Sequence, residues 1–247
     1  MNPRHAVGHK TIRAVAKCLI GAGAAAAALS STNAAPRVED SMAQRLQACT
    51  PCHGREGVAT ASGYFPRIAG KPQGYLFEQL MNFKEGRRGH AVMKQLVQPL
   101  STAYLQEIAA HFASLNLPYP APEPASVNAE VLQRGKQLIF EGDAALRLPA
   151  CVQCHGQAMS GVLPATPGLL GLSKDYLTAQ LGAWRNGLRA AREPDCMKAV
   201  SLRMKESDIH AVSAYLSSVK PVAASAAAVT GAAQAGDLQC ATPRIPR

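Results

Sequence analysis

Aromatic side chains are scarce: phenylalanine, tyrosine and tryptophan make up 5% of the 247 residues, and there is one tryptophan. A chain so short of the bulkiest core residues must find packing volume elsewhere, from small aliphatic side chains or from a bound apolar group. Long apolar runs are also missing. The stretch from Cys18 to Leu29 is only 12 residues, whereas a helix needs about 20 to cross a bilayer. No run of alternating β-branched residues argues for a core built on sheets, and the local patterns are helical throughout. The 26 basic and 16 acidic residues are interspersed with no basic stripe, which removes the usual footprint of a nucleic-acid binder.

The short apolar run has a specific context. Arg4, Lys10, Arg13 and Lys17 precede it and small residues from Ser30 to Ala35 come after it, the layout of a signal peptide. Cleavage after Ala34 is expected, making residues 1–34 a leader and placing the product in an oxidising, exported compartment. The leader holds four of the 26 bases and none of the 16 acids, so the net charge falls from +10 to +6.

Past the leader, the chain is built twice. Cys49-Thr-Pro-Cys52-His53-Gly54 recurs as Cys151-Val-Gln-Cys154-His155-Gly156, and Pro66 to Gly70 recurs as Pro167 to Gly171. Tyr75, Gln79, Leu80, Phe83, Gly86 and Arg88 recur as Tyr176, Gln180, Leu181, Trp184, Gly187 and Arg189. A fixed period of this kind means two copies of one structural unit. The expected domains are 35–116 and 128–220, joined by a proline-rich linker at 117–127 that cannot continue a helix. The alanine-rich tail, 221–247, is expected to be disordered or loosely docked. Helices are expected at Ser41 to Ala48, Tyr75 to Lys84, Ser101 to Leu115, Ala129 to Glu141, Tyr176 to Arg185 and Glu206 to Val219. Each unit is small enough that its own core is only marginally stabilising, and an apolar cofactor would supply what the aromatics do not.

Cys-x-x-Cys-His is the attachment motif of c-type haem. The thiols of Cys49 and Cys52, and of Cys151 and Cys154, would add to the porphyrin vinyl groups, while His53 and His155 bind iron through a ring nitrogen. Thioredoxin-like dithiols and zinc sites compete for the same residues. The first needs a βαβ setting, and the second rarely pairs each Cys-x-x-Cys with an adjacent histidine twice behind a leader. For the other axial position, Met93 and Met197 are the methionines that repeat, seven residues past Gly86 and ten past Gly187. They are the expected ligands, the alternative being that both are gap-filling core residues. His90 is the alternative for the first iron.

With those residues in view, the chain resembles the two-haem cytochrome c4 family over roughly Ser41 to Val219. The resemblance implies an all-α fold of two tandem class I cytochrome c domains, each wrapped around one covalent haem. It implies an exported periplasmic electron carrier without catalytic residues, linking a quinol-oxidising complex to a terminal oxidase or reductase, with peripheral membrane association left open. An electron-accepting subunit of a periplasmic dehydrogenase is the second reading, and a two-haem oxidoreductase the third. The carbonyls of Pro66 and Pro167 would accept the histidine ring N–H, unless these prolines only shape a loop. Arg88 and Arg189 would neutralise haem propionates, or else stand as solvated helix-end cations. Of the seven cysteines, Cys196 and Cys240 are left over. A disulfide between them would pin the tail beside Met197, against the alternatives of a buried thiol and an intermolecular link.

Overall fold

Each repeat hides its apolar stripe by crossing helices, and serine or asparagine side chains start most of the long ones. The computed structural model describes residues 40–221, 229–230 and 238–244; the expected leader lies outside them. The first repeat contains α1 (Met42–Arg45), α2 (Thr50–His53), α3 (Gln73–Lys84), α4 (Ala91–Val97) and α5 (Thr102–Ser114). The second contains α6 (Ala129–Phe140), α7 (Val152–His155), α8 (Lys174–Arg185), α9 (Cys196–Arg203) and α10 (Glu206–Ser218). Ser101, Asn128 and Ser173 each accept the backbone N–H three residues on, at 3.0–3.1 Å, satisfying a donor that the first helical turn leaves open.

Two cores form, one per repeat. In the first, Leu105, Ile108 and Phe112 of α5 close on Leu76, Phe77 and Met81 of α3. In the second, Leu138 and Ile139 of α6 meet Ile209, Val212 and Leu216 of α10, with Leu177 of α8 alongside. The crossing of α6 and α10 is tight at Gly135, where an added Cβ would overlap the Ala211 carbonyl oxygen. The repeats also share a tie that sequence spacing does not advertise: Lys84 and Arg185, in the last turns of α3 and α8, donate to the carbonyls of Leu100 and Met204 respectively.

Several elements differ from expectation. The first helix is a single turn followed by a 3-10 turn at Gln47–Cys49, not a continuous helix from Ser41 to Ala48. Short helices α4 and α9 carry Met93 and Met197, and their N-caps, His90 and Asp195, are the local signals that start them. A small sheet, in the order β2-β1-β3, is made by β1 (Gly161–Leu163), β2 (Thr166–Pro167) and β3 (Val229–Thr230). Its strands have two or three residues, too few to show a period of two. Of the tail, expected to be disordered or loosely docked, residues 229–230 pair with β1 and Arg244 contacts Glu78.

Residues 115–126 run between the repeats without helix or strand. Arg67 fastens that stretch, donating to the carbonyls of Leu117 at 2.6 Å and Pro118 at 2.8 Å while its guanidinium lies 4.5 Å over the Tyr119 ring. No helix among the described residues is long and apolar enough to cross a membrane.

Gly135→Ala should destabilise the second repeat by about 1–3 kcal/mol, the usual cost of overfilling a packed contact. The denaturant midpoint should fall at unchanged slope; an unmoved midpoint would show that the helices do not approach so closely.

Candidate haem sites and the seam between the repeats

The two Cys-x-x-Cys-His segments fold into equivalent single turns, α2 and α7, so both cysteines and the histidine of each motif are presented within one turn. Each turn ends at a glycine with positive φ, +75° at Gly54 and +81° at Gly156. At Gly54 any side chain would overlap the Ala59 carbonyl, so the glycine is needed for the turn itself.

Both histidine rings are oriented by backbone. His53 Nδ1 donates to the Pro66 carbonyl at 3.0 Å, and His155 Nδ1 donates to the Pro167 carbonyl at 2.7 Å. A carbonyl can only accept, so the ring proton sits on Nδ1 and the lone pair on Nε2, the arrangement of a metal-binding imidazole. Burial, the leading cause, lowers both histidine pKa values and keeps the rings neutral. Arg88 and His90 push His53 in the same direction, and Lys71 does so for His155.

None of the four motif cysteines is in a disulfide. Burial raises the thiols of Cys49 and Cys154, and pushes Cys151 up to about 12. A redox dithiol is activated by a lowered thiol pKa, and burial works the other way at Cys49, Cys151 and Cys154. Among the described residues no three His, Cys, Asp or Glu side chains converge as a metal site.

The methionines divide by burial. Met81, Met159 and Met204 are buried members of the two cores. Met42, Met93 and Met197 are only partly buried, Met42 and Met93 against the first core, and of these Met93 and Met197 lie on equivalent short helices. Asp195 secures the second of these: its carboxylate caps Lys198 N at 3.0 Å and accepts from Ala191 N at 2.7 Å and Trp184 Nε1 at 3.1 Å. His90 is committed as the cap of α4, its Nδ1 accepting from Met93 N at 3.3 Å.

Where the repeats meet, Arg88 and Arg189 face each other across an antiparallel backbone bridge, with Gly89 N donating to Leu188 O and Ala190 N to Arg87 O, both at 2.7 Å. They are not solvated: 8% and 5% of their surfaces are exposed. Arg88 donates to Gln79 at 2.8 Å, Gln180 at 2.6 Å and the Tyr176 hydroxyl at 2.9 Å. Arg189 donates to Gln180 at 2.8 Å and Gln79 at 3.0 Å. Each guanidinium also lies over its own repeat's aromatic ring, Arg88 on Phe83 at 4.6 Å and Arg189 on Trp184 at 3.7 Å. Burial, then the like charge of Arg88, lowers the Arg189 pKa. Neither has a carboxylate partner among the described residues, and paired buried cations of this kind are stable only with anions beside them. Haem brings carboxylates as well as an apolar ring, so the donor set of thiols, imidazoles and buried guanidiniums fits that group. Gln79, Gln180, Tyr75 and Tyr176 were visible in the sequence as repeated residues, but their meeting across a seam was not.

The tail completes the second site. Cys196 and Cys240 form a disulfide with Cα atoms 5.1 Å apart across a 44-residue separation, a closure worth about 4 kcal/mol at most in the chain-entropy account. Beyond it, Arg244 binds Glu78 of α3 at 2.8 and 2.9 Å and Glu85 at 3.0 Å. Burial works to raise the Glu78 pKa, and Arg244 with Arg192 outweighs it, so the group stays ionised. The strap thus runs from the Met197 helix to the first repeat.

The cytochrome c family profile matches residues 132–220. A thiosulfate dehydrogenase electron acceptor from Thiomonas intermedia is 36% identical over 168 residues, 68% of this chain and 76% of the relative. Cytochrome c4 of Thiocapsa roseopersicina is 31% identical over 188 residues, 74% of this chain and 94% of the relative. The reduced cytochrome c4 structure from Pseudomonas stutzeri superimposes with a TM-score of 0.63 at 28% identity, covering 72% of this chain and 96% of that one. Two of the three are named as cytochromes and the other as an electron acceptor, consistent with an electron carrier.

The strap should be visible by mass. Reductant should add about two mass units, the two hydrogens taken up when a disulfide is cleaved, and alkylation before reduction should leave Cys196 and Cys240 unmodified. Free alkylation of both thiols would show that the strap is open in solution.

Proposed function

The chain belongs to the cytochrome c4 family of c-type cytochromes with covalently bound haem, and on that premise we propose a periplasmic two-haem electron-transfer protein that accepts electrons from a dehydrogenase and passes them into a respiratory chain. Cys49, Cys52, Cys151 and Cys154 carry the covalent links, and His53 and His155 are the proximal ligands. Met93 and Met197 would supply the second protein ligand to each iron. The observation that carries this reading is the pair of histidine rings fixed by Pro66 and Pro167 on equivalent turns, because it prepares two Nε2 lone pairs in the same way. Bound haem supplies a one-electron iron couple, and a thioether ligand favours its reduced form. Held by a histidine and a methionine, the iron would offer no place to a substrate, and the chain's own residues would hold and shield it rather than react.

Residues 1–34 act as the export leader in this reading, and 35–116 and 128–220 are the two haem domains. Arg88 and Arg189 neutralise the haem carboxylates at the seam, where their burial without a protein counter-ion among the described residues supports the role. A dehydrogenase as donor, rather than only a quinol-oxidising complex, is favoured by the relative named as an electron acceptor of thiosulfate dehydrogenase. A terminal oxidase or reductase then stands downstream, with the protein free or peripherally attached to the membrane.

The protein exported with its leader should carry two haems, and Cys151→Ser/Cys154→Ser should lose one. The weak red charge-transfer band that thioether ligation gives to oxidised haem should diminish in both Met93→Ala and Met197→Ala; if neither changes it, the ligand assignment is wrong. Thiosulfate alone should leave the haems oxidised, while thiosulfate together with a thiosulfate-oxidising dehydrogenase should reduce them. Reduction by thiosulfate alone would make the protein an enzyme.

A further inference from the structure

Lys71 is buried, at 3% exposure, and it does not serve its own repeat. From the turn before α3 its ammonium crosses to the second repeat and donates to the Gly168 carbonyl at 2.6 Å. Gly168 follows Pro167, whose carbonyl takes the His155 ring proton at 2.7 Å. The same turn of chain is anchored again one step further on, where Gly74 N donates to the Pro164 carbonyl at 3.1 Å. Thus the loop that orients the second histidine is held from outside its own domain.

The duplication makes this asymmetric. The position equivalent to Lys71 is Leu172, which can send no charge to the loop around Pro66. Arg67, the counterpart of Gly168, turns its guanidinium away to the linker carbonyls and the Tyr119 ring. Among the groups acting on the two histidines, Lys71 acts on His155 and not on His53.

We propose that Lys71 is a positioning residue of the second iron site, holding the loop that orients His155 and placing a positive charge beside it that raises the potential of that haem alone. The proposal rests on His155 being an iron ligand. A positive charge in a buried setting favours the reduced iron, which carries one charge less, and it also weakens the Pro167 carbonyl as an acceptor, so that less electron density reaches the metal through the imidazole. Both effects have the same sign. Burial, helped by Arg67, draws the lysine pKa down to about 7, so the comparison belongs at about pH 6, below that value, where the ammonium is protonated.

The test is a potentiometric titration of the full two-haem protein, resolved into two one-electron steps, with Lys71→Met, Lys71→Gln and Lys71→Arg. The step belonging to the second haem is the one missing from Cys151→Ser/Cys154→Ser. Lys71→Met should shift that step's reduction equilibrium about tenfold towards the oxidised form, or about 59 mV downward, and leave the first step in place. Lys71→Gln, which keeps a donor without the charge, should fall likewise, and it replaces the methionine variant should that one lose haem. Lys71→Arg should restore most of the shift. Unchanged potentials, or equal movement of both steps, would overturn the proposal. A wild-type protein with no haem on the second motif would instead remove the reading beneath it, and haem content shows that before any potential is measured.

Discussion

Two guanidinium groups buried against each other govern how the molecule is put together. Arg88 and Arg189 meet at a backbone bridge with 8% and 5% exposure, and like charges so placed repel unless anions lie with them. The glutamines and tyrosines around them satisfy their N–H groups but bring no negative charge. If haem carboxylates lie against these guanidiniums, as proposed, the same two arginines that join the repeats would also hold the cofactors, and loading and docking would be coupled.

Around that near-symmetric seam the rest of the chain is asymmetric. The second repeat has the small sheet after its cysteine motif, the disulfide beside Met197, and a loop gripped by Lys71. The first has a one-turn opening helix and His90 as the cap of its methionine helix. If both irons take the proposed histidine and methionine, their affinities for an electron would be set apart by differences outside the ligands, such as these. Directional transfer between identical centres needs such a bias.

Much of this was legible in the sequence. The repeat of Cys-x-x-Cys-His with Tyr75, Gln79 and Arg88 exposed the duplication, and the apolar spacing of Leu105, Ile108 and Phe112 exposed the closing helix. The helices α4 and α9 were not expected, because each is barely two turns and its start depends on a cap, His90 or Asp195, that composition does not reveal. The sheet escaped because two-residue strands have no period. Arg88 and Arg189 stood in the sequence as repeated cations at helix ends, where burial and exposure look the same. Lys71 was invisible for the opposite reason: it departs from the repeat, and its partner is 97 residues away. The cysteine anchor of the tail was legible as the leftover pair Cys196 and Cys240, whereas the contacts of Arg244 with Glu78 and Glu85, 159 to 166 residues away, were not.

The extended linker fixed by Arg67 has a thermodynamic meaning of its own. The contacts described between the repeats are largely polar: the bridge at Arg88 and Arg189, Lys71 to Gly168, and Gly74 to Pro164. Joined by a dozen extended residues, the repeats face each other at an effective concentration on the order of millimolar, and the Arg67 carbonyl contacts and the tail strap narrow the arrangements further. Polar contacts of this kind then need not hold two separate chains together, because the linker already keeps the repeats close.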